Sequence, residues 1–147
     1  MGRQRISSGA PWEERVGYSR AVRVGRRVYV AGTTAVGPDG KVIGADDPAE
    51  QTRRAFAIVE KALHSAGARL SDVVRTRLYV TDISRWEEYG RVHGELFRHT
   101  RPAATMVEVR RLVDPAMMVE VEVEAEIDPR PVRRASRRPA RRARAPS

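Results

Sequence analysis

The chain has 147 residues, 41% of them hydrophobic, which is enough for one compact domain with a sizeable core and too short for two ordinary ones. Its formal net charge is +9. It contains no cysteine, which excludes disulfides, thiolate metal sites and a cysteine nucleophile.

The positive charge is concentrated at the C-terminal end. Residues 129–147 include eight arginines and no acidic residue, so residues 1–128 carry a net charge of only +1. Because this tail has almost no apolar bulk to offset the entropy lost on ordering, we predict a folded domain over 1–128 and a disordered tail over 129–147. The tail either contacts nucleic acid through its phosphates or reflects biased codon usage, since the chain has two lysines against many arginines.

The N-terminal residues do not resemble a targeting segment. Residues 1–17 contain no apolar run of the kind found in signal peptides, and no stretch approaches the length of a transmembrane helix. We therefore expect a cytoplasmic protein with no membrane partner.

The first predicted elements are the two strands of a β-hairpin. Residues 21–35 contain two β-prone runs broken at Gly25, where a tight turn fits. A second turn is predicted at 37–40, after which residues 41–44 form either a short strand or a loop.

A helix is predicted to begin at Pro48. Asp47 is a good N-cap, proline suits the first helical position, and Glu50 completes a box-like cap. Apolar residues then recur at three- and four-residue spacing up to Gly67, a natural left-handed C-cap. One face of this helix should pack on a sheet.

Residues 73–81 are predicted to form a strand because polar and apolar residues partly alternate there. We expect Arg75 and Arg77 to pair with glutamates of a neighbouring strand rather than to bind an anion. One predicted face carries Val74, Thr76, Leu78 and Val80, and the other carries Val73, Arg75, Arg77 and Tyr79.

The C-terminal half of the domain is predicted as a helix followed by two strands. Ser84 and Glu87 form a second capping box, and the helix should end before residues 101–102. Strands are predicted over 103–109 and 118–127, around a loop at 112–116. The last strand alternates apolar residues with Glu120, Glu122, Glu124 and Glu126. The resulting pattern, ββ(β)αβαββ, indicates the α+β class.

Several segments in this order resemble proteins of the RidA (YjgF-type) family. The similar segments are Gly17-Tyr18-Ser19, Val28-Tyr29-Val30-Ala31-Gly32, Val73-Val74-Arg75, Tyr79-Val80-Thr81-Asp82, Arg101-Pro102-Ala103, Val107-Glu108-Val109, Arg111-Leu112 and Val119-Glu120-Val121-Glu122. The resemblance implies a chorismate-mutase-like fold, with a six-stranded mixed sheet backed by two helices. It also implies a barrel-like homotrimer whose inter-subunit clefts bind a small molecule. Archetypal members hydrolyse reactive enamines and imines derived from amino acids.

The resemblance also implies a set of site residues. Glu120 takes the place of the glutamate that positions water or shuttles a proton, although the run can be aligned on Glu122 instead. The expected substrate-binding residues are Tyr18, Gly32, Thr33, Ala104 and Thr105. Ala104 stands where archetypal members carry the arginine that grips the substrate carboxylate, and Gly90 stands where they often have an asparagine.

Loss of that arginine is chemically significant, because hydrogen bonds to charged groups are worth about 1.5–3 kcal/mol each. Arg101 and Arg110 lie near Ala104, but neither is equivalent to the missing residue by position. The chain is therefore expected to be either a deaminase with an altered substrate range or a non-catalytic small-molecule binder or regulator. Nucleic-acid association through the tail is a third hypothesis.

Simpler interpretations of the same residues stay open. Glu120 could be one more solvated glutamate, and Tyr18 a half-buried strand aromatic. His64, His93 and His99 lack both metal-site spacing and thiolate companions, so we expect no metal. No phosphate-binding or dinucleotide glycine motif is present, and we expect no cofactor.

Overall fold

Six strands form one mixed β-sheet in the computed structural model, which describes residues 2–129. The strands are β1 (Arg3–Ile6), β2 (Ala21–Val24), β3 (Arg27–Thr33), β4 (Val73–Val80), β5 (Ala103–Glu108) and β6 (Val119–Glu126). The helices are α1 (Pro11–Val16), α2 (Pro48–Ser65) and α3 (Trp86–Phe97). The strand order is β1-β2-β3-β6-β4-β5, with β4 and β5 parallel and the other neighbours antiparallel. Apart from Pro129, the predicted tail lies outside the described residues.

The last strand of the chain lies in the middle of the sheet. As predicted, β6 alternates between buried apolar residues and outward glutamates. Its buried face packs against α2, and α3 lies beside α2. The sheet therefore has a helix face, which contains the core, and an outer face, which carries the glutamates.

Helix α2 begins and ends close to the predicted residues. Asp47 accepts a hydrogen bond from the backbone N–H of Glu50 at 3.1 Å, and Pro48 is the first helical residue. The backbone N–H of Asp47 donates to Gly44 instead of to Glu50, so only half of the predicted capping box forms. Gly67 adopts φ +81°, as expected for a left-handed C-cap.

The predicted faces of β4 are wrong at its first two residues. A β-bulge between Val73 and Arg75 turns Val73 into the core and leaves Val74 49% exposed. From Thr76 onward the predicted alternation holds, with Thr76, Leu78 and Val80 buried.

The predicted capping box of α3 does not form. Asp82 instead accepts the N–H of Ser84 at 3.0 Å and starts a short 3-10 turn over Ile83–Arg85. The α-helix then begins at Trp86 with no side-chain cap. Residues 41–44 form a loop, since only an isolated bridge joins Val36 and Val42.

The N-terminal elements β1 and α1 were not predicted. The carboxylate of Glu13 anchors α1 by accepting the backbone N–H of Ser8 at 3.1 Å. Burial favours a higher pKa for Glu13, but the hydrogen bonds from Ser8 outweigh it and lower the pKa. Gly17 ends α1 with φ +83°, and the next N–H, of Tyr18, donates to the carbonyl of Glu13.

No helix within residues 2–129 combines the length and apolar character needed to cross a bilayer.

Candidate functional site

The centre of the candidate site is a bulge in β3 beside the start of β6. Val30 pairs with Val123 and Thr33 with Val121, so three steps on β3 match two on β6 and the register shifts at Ala31 and Gly32. This brings Gly32 beneath the carboxyl group of Glu120. A Cβ added at Gly32 would collide with Oε1 of Glu120, so only glycine leaves the carboxyl its observed position.

Unlike the other outward glutamates of β6, Glu120 has no neighbouring group within residues 2–129 that donates a hydrogen bond to its carboxylate. Glu122 accepts the hydroxyl of Tyr79 at 2.6 Å, Glu124 accepts Arg77 at 3.0 Å, and Glu126 accepts Arg26 at 2.9 Å. Within residues 2–129, the carboxyl group of Glu120 accepts none. This difference favours Glu120 over Glu122 as the chemically available carboxylate.

The surroundings of Glu120 raise its pKa above the ordinary value of 4.5. Burial is the main cause, and the negative charge of Glu122 adds to it, whereas the positive charge of Arg20 acts in the opposite direction. A carboxyl group with a raised pKa exchanges protons more readily near neutral pH than a solvated glutamate does.

Arg20 is a site residue that the sequence did not reveal. Its Nη1 donates to the hydroxyl of Thr33 at 3.0 Å, and its Nη2 donates to the carbonyl of Gly32 at 2.9 Å. Arg20 thereby holds the bulge and places a positive charge near Glu120. In the sequence, Arg20 is an arginine two residues after Tyr18, just before a predicted strand. Because the chain contains many arginines, this position did not mark Arg20 as a site residue.

The guanidinium group of Arg20 also faces the ring of Tyr18, with its Cζ 5.7 Å from the ring centroid. Its Nε is the one buried side-chain polar atom in residues 2–129 without a hydrogen-bond partner. Buried donors are normally paired, so the position of Arg20 costs free energy in the isolated chain.

Thr33 lies behind Arg20 rather than at an open surface. Its side chain is buried, and its hydroxyl donates to the carbonyl of Ala31 at 2.7 Å while it accepts from Arg20. Thr33 therefore positions Arg20, and it has no free hydroxyl proton to offer a ligand.

Tyr18 is 38% exposed on the outer side of the sheet. It lines an open cavity of about 840 Å³ between α1, β1 and the outer face of β2 and β3. Tyr29 and Ala31 lie in the same cavity wall. A small molecule bound against this wall would meet Tyr18 and the outer end of the bulge.

Ala104 and Thr105 lie on the edge strand β5, apart from Glu120. Thr105 pairs in register with Arg77, on the outer face, while Ala104 pairs with Thr76, on the helix face. The strand order places β5 two strands from β6, or about 10 Å. One chain therefore does not bring Ala104 and Glu120 together.

Of the two arginines predicted to pair with the glutamate face, Arg77 does so, whereas the side chain of Arg75 makes no ion pair or hydrogen bond within residues 2–129. Arg77 lies 3.0 Å from Glu124 and 3.5 Å from Glu122, as expected for a structural role. The hydrogen bond from Arg77 to Glu124 raises the pKa of Arg77. Residues 2–129 contain no group of three or more His, Asp or Glu side chains arranged to hold a metal ion.

The sequence model of the family described as Endoribonuclease L-PSP matches residues 10–127. The chain belongs to this YjgF-type, or RidA, family. An uncharacterized protein of Streptomyces coelicolor is 43% identical over 122 residues, which cover 83% of this chain and 90% of that protein. A RutC family protein of Pyrococcus abyssi is 37% identical over 95 residues, covering 65% of this chain and 75% of that protein.

Solved structures show the same fold. The crystal structure of a Mycobacterium tuberculosis member of the YjgF/YER057c/UK114 family is 52% identical, with a TM-score of 0.78, and the match covers 86% of this chain and all of that one. The predicted family and α+β fold are confirmed. The names of RidA relatives include both an endoribonuclease and proteins without a stated activity, so membership does not by itself assign a reaction.

Proposed function

We propose that the protein is a hydrolase of reactive imines or enamines, with Glu120 as its proton-transfer residue. The observation that carries the proposal is the carboxyl group of Glu120, which is partly buried, lies over Gly32 and accepts no hydrogen bond within residues 2–129. A carboxylate that is hydrogen-bonded, as that of Glu122 is to Tyr79, would have to break this hydrogen bond before it could accept a proton from water.

The proposed reaction requires water and one proton-transfer group. The carboxylate of Glu120 removes a proton from water as the oxygen attacks the imine carbon, and the C=N π electrons move to nitrogen. Protonated Glu120 then returns the proton to nitrogen, which gives the carbinolamine. Glu120 next moves the hydroxyl proton of the carbinolamine to nitrogen, the C=O bond forms and the C–N bond breaks, releasing a carbonyl compound and ammonia or an amine. An enamine enters the same sequence by tautomerisation, in which its β carbon gains a proton from water and its nitrogen loses one to water, giving the imine.

Ala104 defines the substrate range in this proposal. Where archetypal relatives carry a carboxylate-binding arginine, this chain has a methyl group on an edge strand. Imines without a carboxylate next to the imine carbon should therefore be accepted at least as well as imines derived from amino acids. A non-catalytic role as a small-molecule binder is the outcome to expect if no imine is hydrolysed.

We further propose that the working form is a homotrimer with the site between subunits. Strand β5 is an exposed edge with one paired side, and such edges are normally covered in native proteins. Ala104 and Glu120 lie on opposite faces of the sheet in one chain, so a ligand that contacts both requires a second chain. The unpaired Nε of Arg20 belongs to the Glu120 side of this site.

The direct test is a panel of freshly generated imines, including 2-aminoacrylate and imines that lack a carboxylate, with release of ammonia or amine as the signal. The wild-type chain should hydrolyse the carboxylate-free imines, and Glu120→Gln should be slower by about 10²–10⁴-fold. Ala104→Arg should shift preference towards 2-aminoacrylate. Failure of the wild type on every imine, with activity only in Ala104→Arg, would show that the natural protein has left this chemistry.

Ribonuclease activity is a second candidate, because the matching family is described as an endoribonuclease. Residues 1–128 carry a net charge of only +1, so binding to RNA should depend on the arginines of the tail. The full chain should then cleave a labelled RNA in a salt-sensitive way, and a chain truncated after Asp128 should not. Equal cleavage by both forms would rule out a role for the tail.

A further inference from the structure

A second cavity lies on the helix face of the sheet, at the C-terminal end of α3. It has a volume of about 480 Å³, and none of its lining residues belongs to the site around Glu120. Its lining residues are His93, Gly94, Phe97, Arg98, Arg101 and Pro102.

The charge of this cavity is positive. Arg98 and Arg101 are both exposed, and no acidic residue lines the cavity with them. Within residues 2–129 neither guanidinium group has a carboxylate or hydrogen-bond partner, unlike Arg53 of α2, which pairs with Glu95 of α3 at 3.0 Å. Arg98 and Arg101 line one cavity, and a guanidinium group is well suited to bind a carboxylate.

The backbone holds Arg101 beside the helix. Its N–H donates to the carbonyl of Phe97 at 2.9 Å, and its φ is +49°, in the left-handed region. A residue with a Cβ adopts this conformation at a cost of about 1–2 kcal/mol, and glycine would avoid that cost. The chain therefore keeps an arginine at a position where the backbone favours glycine.

The base of the cavity is apolar and uncharged. Phe97 is 2% exposed and packs edge-on against Phe56, with ring centroids 5.3 Å apart. Burial lowers the pKa of His93, which favours the neutral ring. Its Nε2 lies 2.8 Å from the hydroxyl of the buried Thr76. The partly exposed rings of His93 and Pro102 therefore provide the uncharged surface at the base of the cavity.

Gly94 keeps the cavity open. Glycine inside a helix costs about 1 kcal/mol relative to alanine. No heavy atom of the described chain lies within 4 Å of a Cβ built at this position, so packing within the chain does not require glycine here. A side chain at this position would project into the cavity that Gly94 lines.

We propose that this cavity binds a small organic carboxylate, with the carboxylate on Arg98 and Arg101 and the apolar body on the partly exposed rings of His93 and Pro102. The size of the cavity suits a ligand with one aromatic ring. The proposal concerns binding at a place distinct from Glu120, and it holds whether or not the protein hydrolyses imines.

The test is an NMR titration of the isotopically labelled full chain with phenylacetate, using phenylacetamide as an uncharged ligand of the same shape. Phenylacetate should cause saturable shifts centred on residues 93–98, at the C-terminal end of α3, and phenylacetamide should not. Arg98→Gln and Arg101→Gln should each weaken phenylacetate binding about tenfold. Arg91→Gln, an exposed arginine of the same helix outside the cavity, should leave binding unchanged.

A variant that fills the cavity tests the location of binding without changing the charge of the protein. Gly94→Leu places a good helix former in open space, so the protein should fold and no longer bind phenylacetate. Equal binding of the two ligands, equal effects of the Arg91 and Arg98 variants, or no saturable shift with phenylacetate would each overturn the proposal.

Discussion

The outward glutamates of β6 occupy equivalent strand positions, yet their neighbours give them different chemistry. The three towards the C-terminal end of the strand are hydrogen-bonded to Tyr79, Arg77 and Arg26, which makes them parts of cross-strand pairs. Glu120 lies beside a β-bulge and meets Gly32 instead of a donor. Its raised pKa follows from this loss of solvent without a compensating hydrogen bond.

The first prediction concerns the pH dependence of hydrolysis. The proposed base must be ionised, so the rate should rise with pH through the pKa of Glu120, which lies above 4.5. Arg20→Gln removes a charge that lowers this pKa and should move the acidic limb of kcat to higher pH. Glu122→Gln removes a charge that raises it and should move the limb to lower pH. Shifts of both variants in the same direction would show that another group titrates.

The second prediction concerns Gly32→Ala. The new methyl group must displace the carboxyl group of Glu120, whose side chain is flexible, while the backbone can stay in place because the φ of Gly32 is not left-handed. We expect a change in unfolding free energy of about 1 kcal/mol or less and a fall in kcat of about tenfold or more. Urea unfolding and imine hydrolysis measure the two effects separately.

A Glu120→Gln background supplies the control for that experiment. If Gly32→Ala acts by moving Glu120, it should have little further effect on kcat once Glu120 is removed. An undiminished tenfold loss in the double variant would mean that Gly32 acts through the bulge itself.

Among the elements, those with a strong repeating pattern could be predicted from the sequence. Strict alternation identified β6 and its two faces, and the Asp47–Pro48 pair located the start of α2. The bulge at Val73 was not predictable, because Val73 and Val74 are identical side chains and either can face the core. In the same way, Asp82 and Ser84 are both good caps, and the structure uses Asp82.

The N-terminal elements and Arg20 were missed for a different reason. Strand β1 has mostly exposed polar residues, and α1 is six residues long with Ala10 as an uncapped N-terminus. Their stability comes from tertiary contacts, such as that of Glu13 with Ser8, which no local pattern records. The role of Arg20 likewise depends on a bulge that brings Gly32 and Thr33 to it.

Replacing Gly17 and Gly94 by alanine should change the free energy of unfolding in opposite directions. Gly17→Ala forces a Cβ into the left-handed conformation that ends α1 and should destabilise the protein by about 1–2 kcal/mol. Gly94→Ala relieves a glycine inside α3 without a clash and should stabilise it by about 1 kcal/mol. Urea unfolding of both variants is the measurement. A change in unfolding free energy of the same sign for both variants would contradict the conformations described for these two residues.

The proposed shared site requires several chains to assemble, because Ala104 and Glu120 lie on opposite faces of the sheet in one chain. Strand β5 presents an exposed edge, and Val107, 41% exposed, lies on its outer face beside Tyr79 in register. We predict that sedimentation equilibrium gives three times the chain mass of 16.5 kDa. Val107→Asp should reduce the mass to that of one chain and abolish hydrolysis without unfolding the protein, because it buries a charge in the contact.

Val113→Asp is the matched control, since Val113 is 91% exposed in the loop before β6. It should leave both mass and activity unchanged. A monomeric wild-type protein with full activity would contradict the shared site.

The most direct measurement compares the initial rate of ammonia or amine release from one carboxylate-free imine by the wild type, Glu120→Gln and Glu122→Gln. We expect Glu120→Gln to lose about 10²–10⁴-fold in kcat and Glu122→Gln to retain most of the activity at the pH optimum. A large loss in Glu122→Gln with little change in Glu120→Gln would contradict this expectation, because the engaged glutamate rather than the free one would then carry the chemistry.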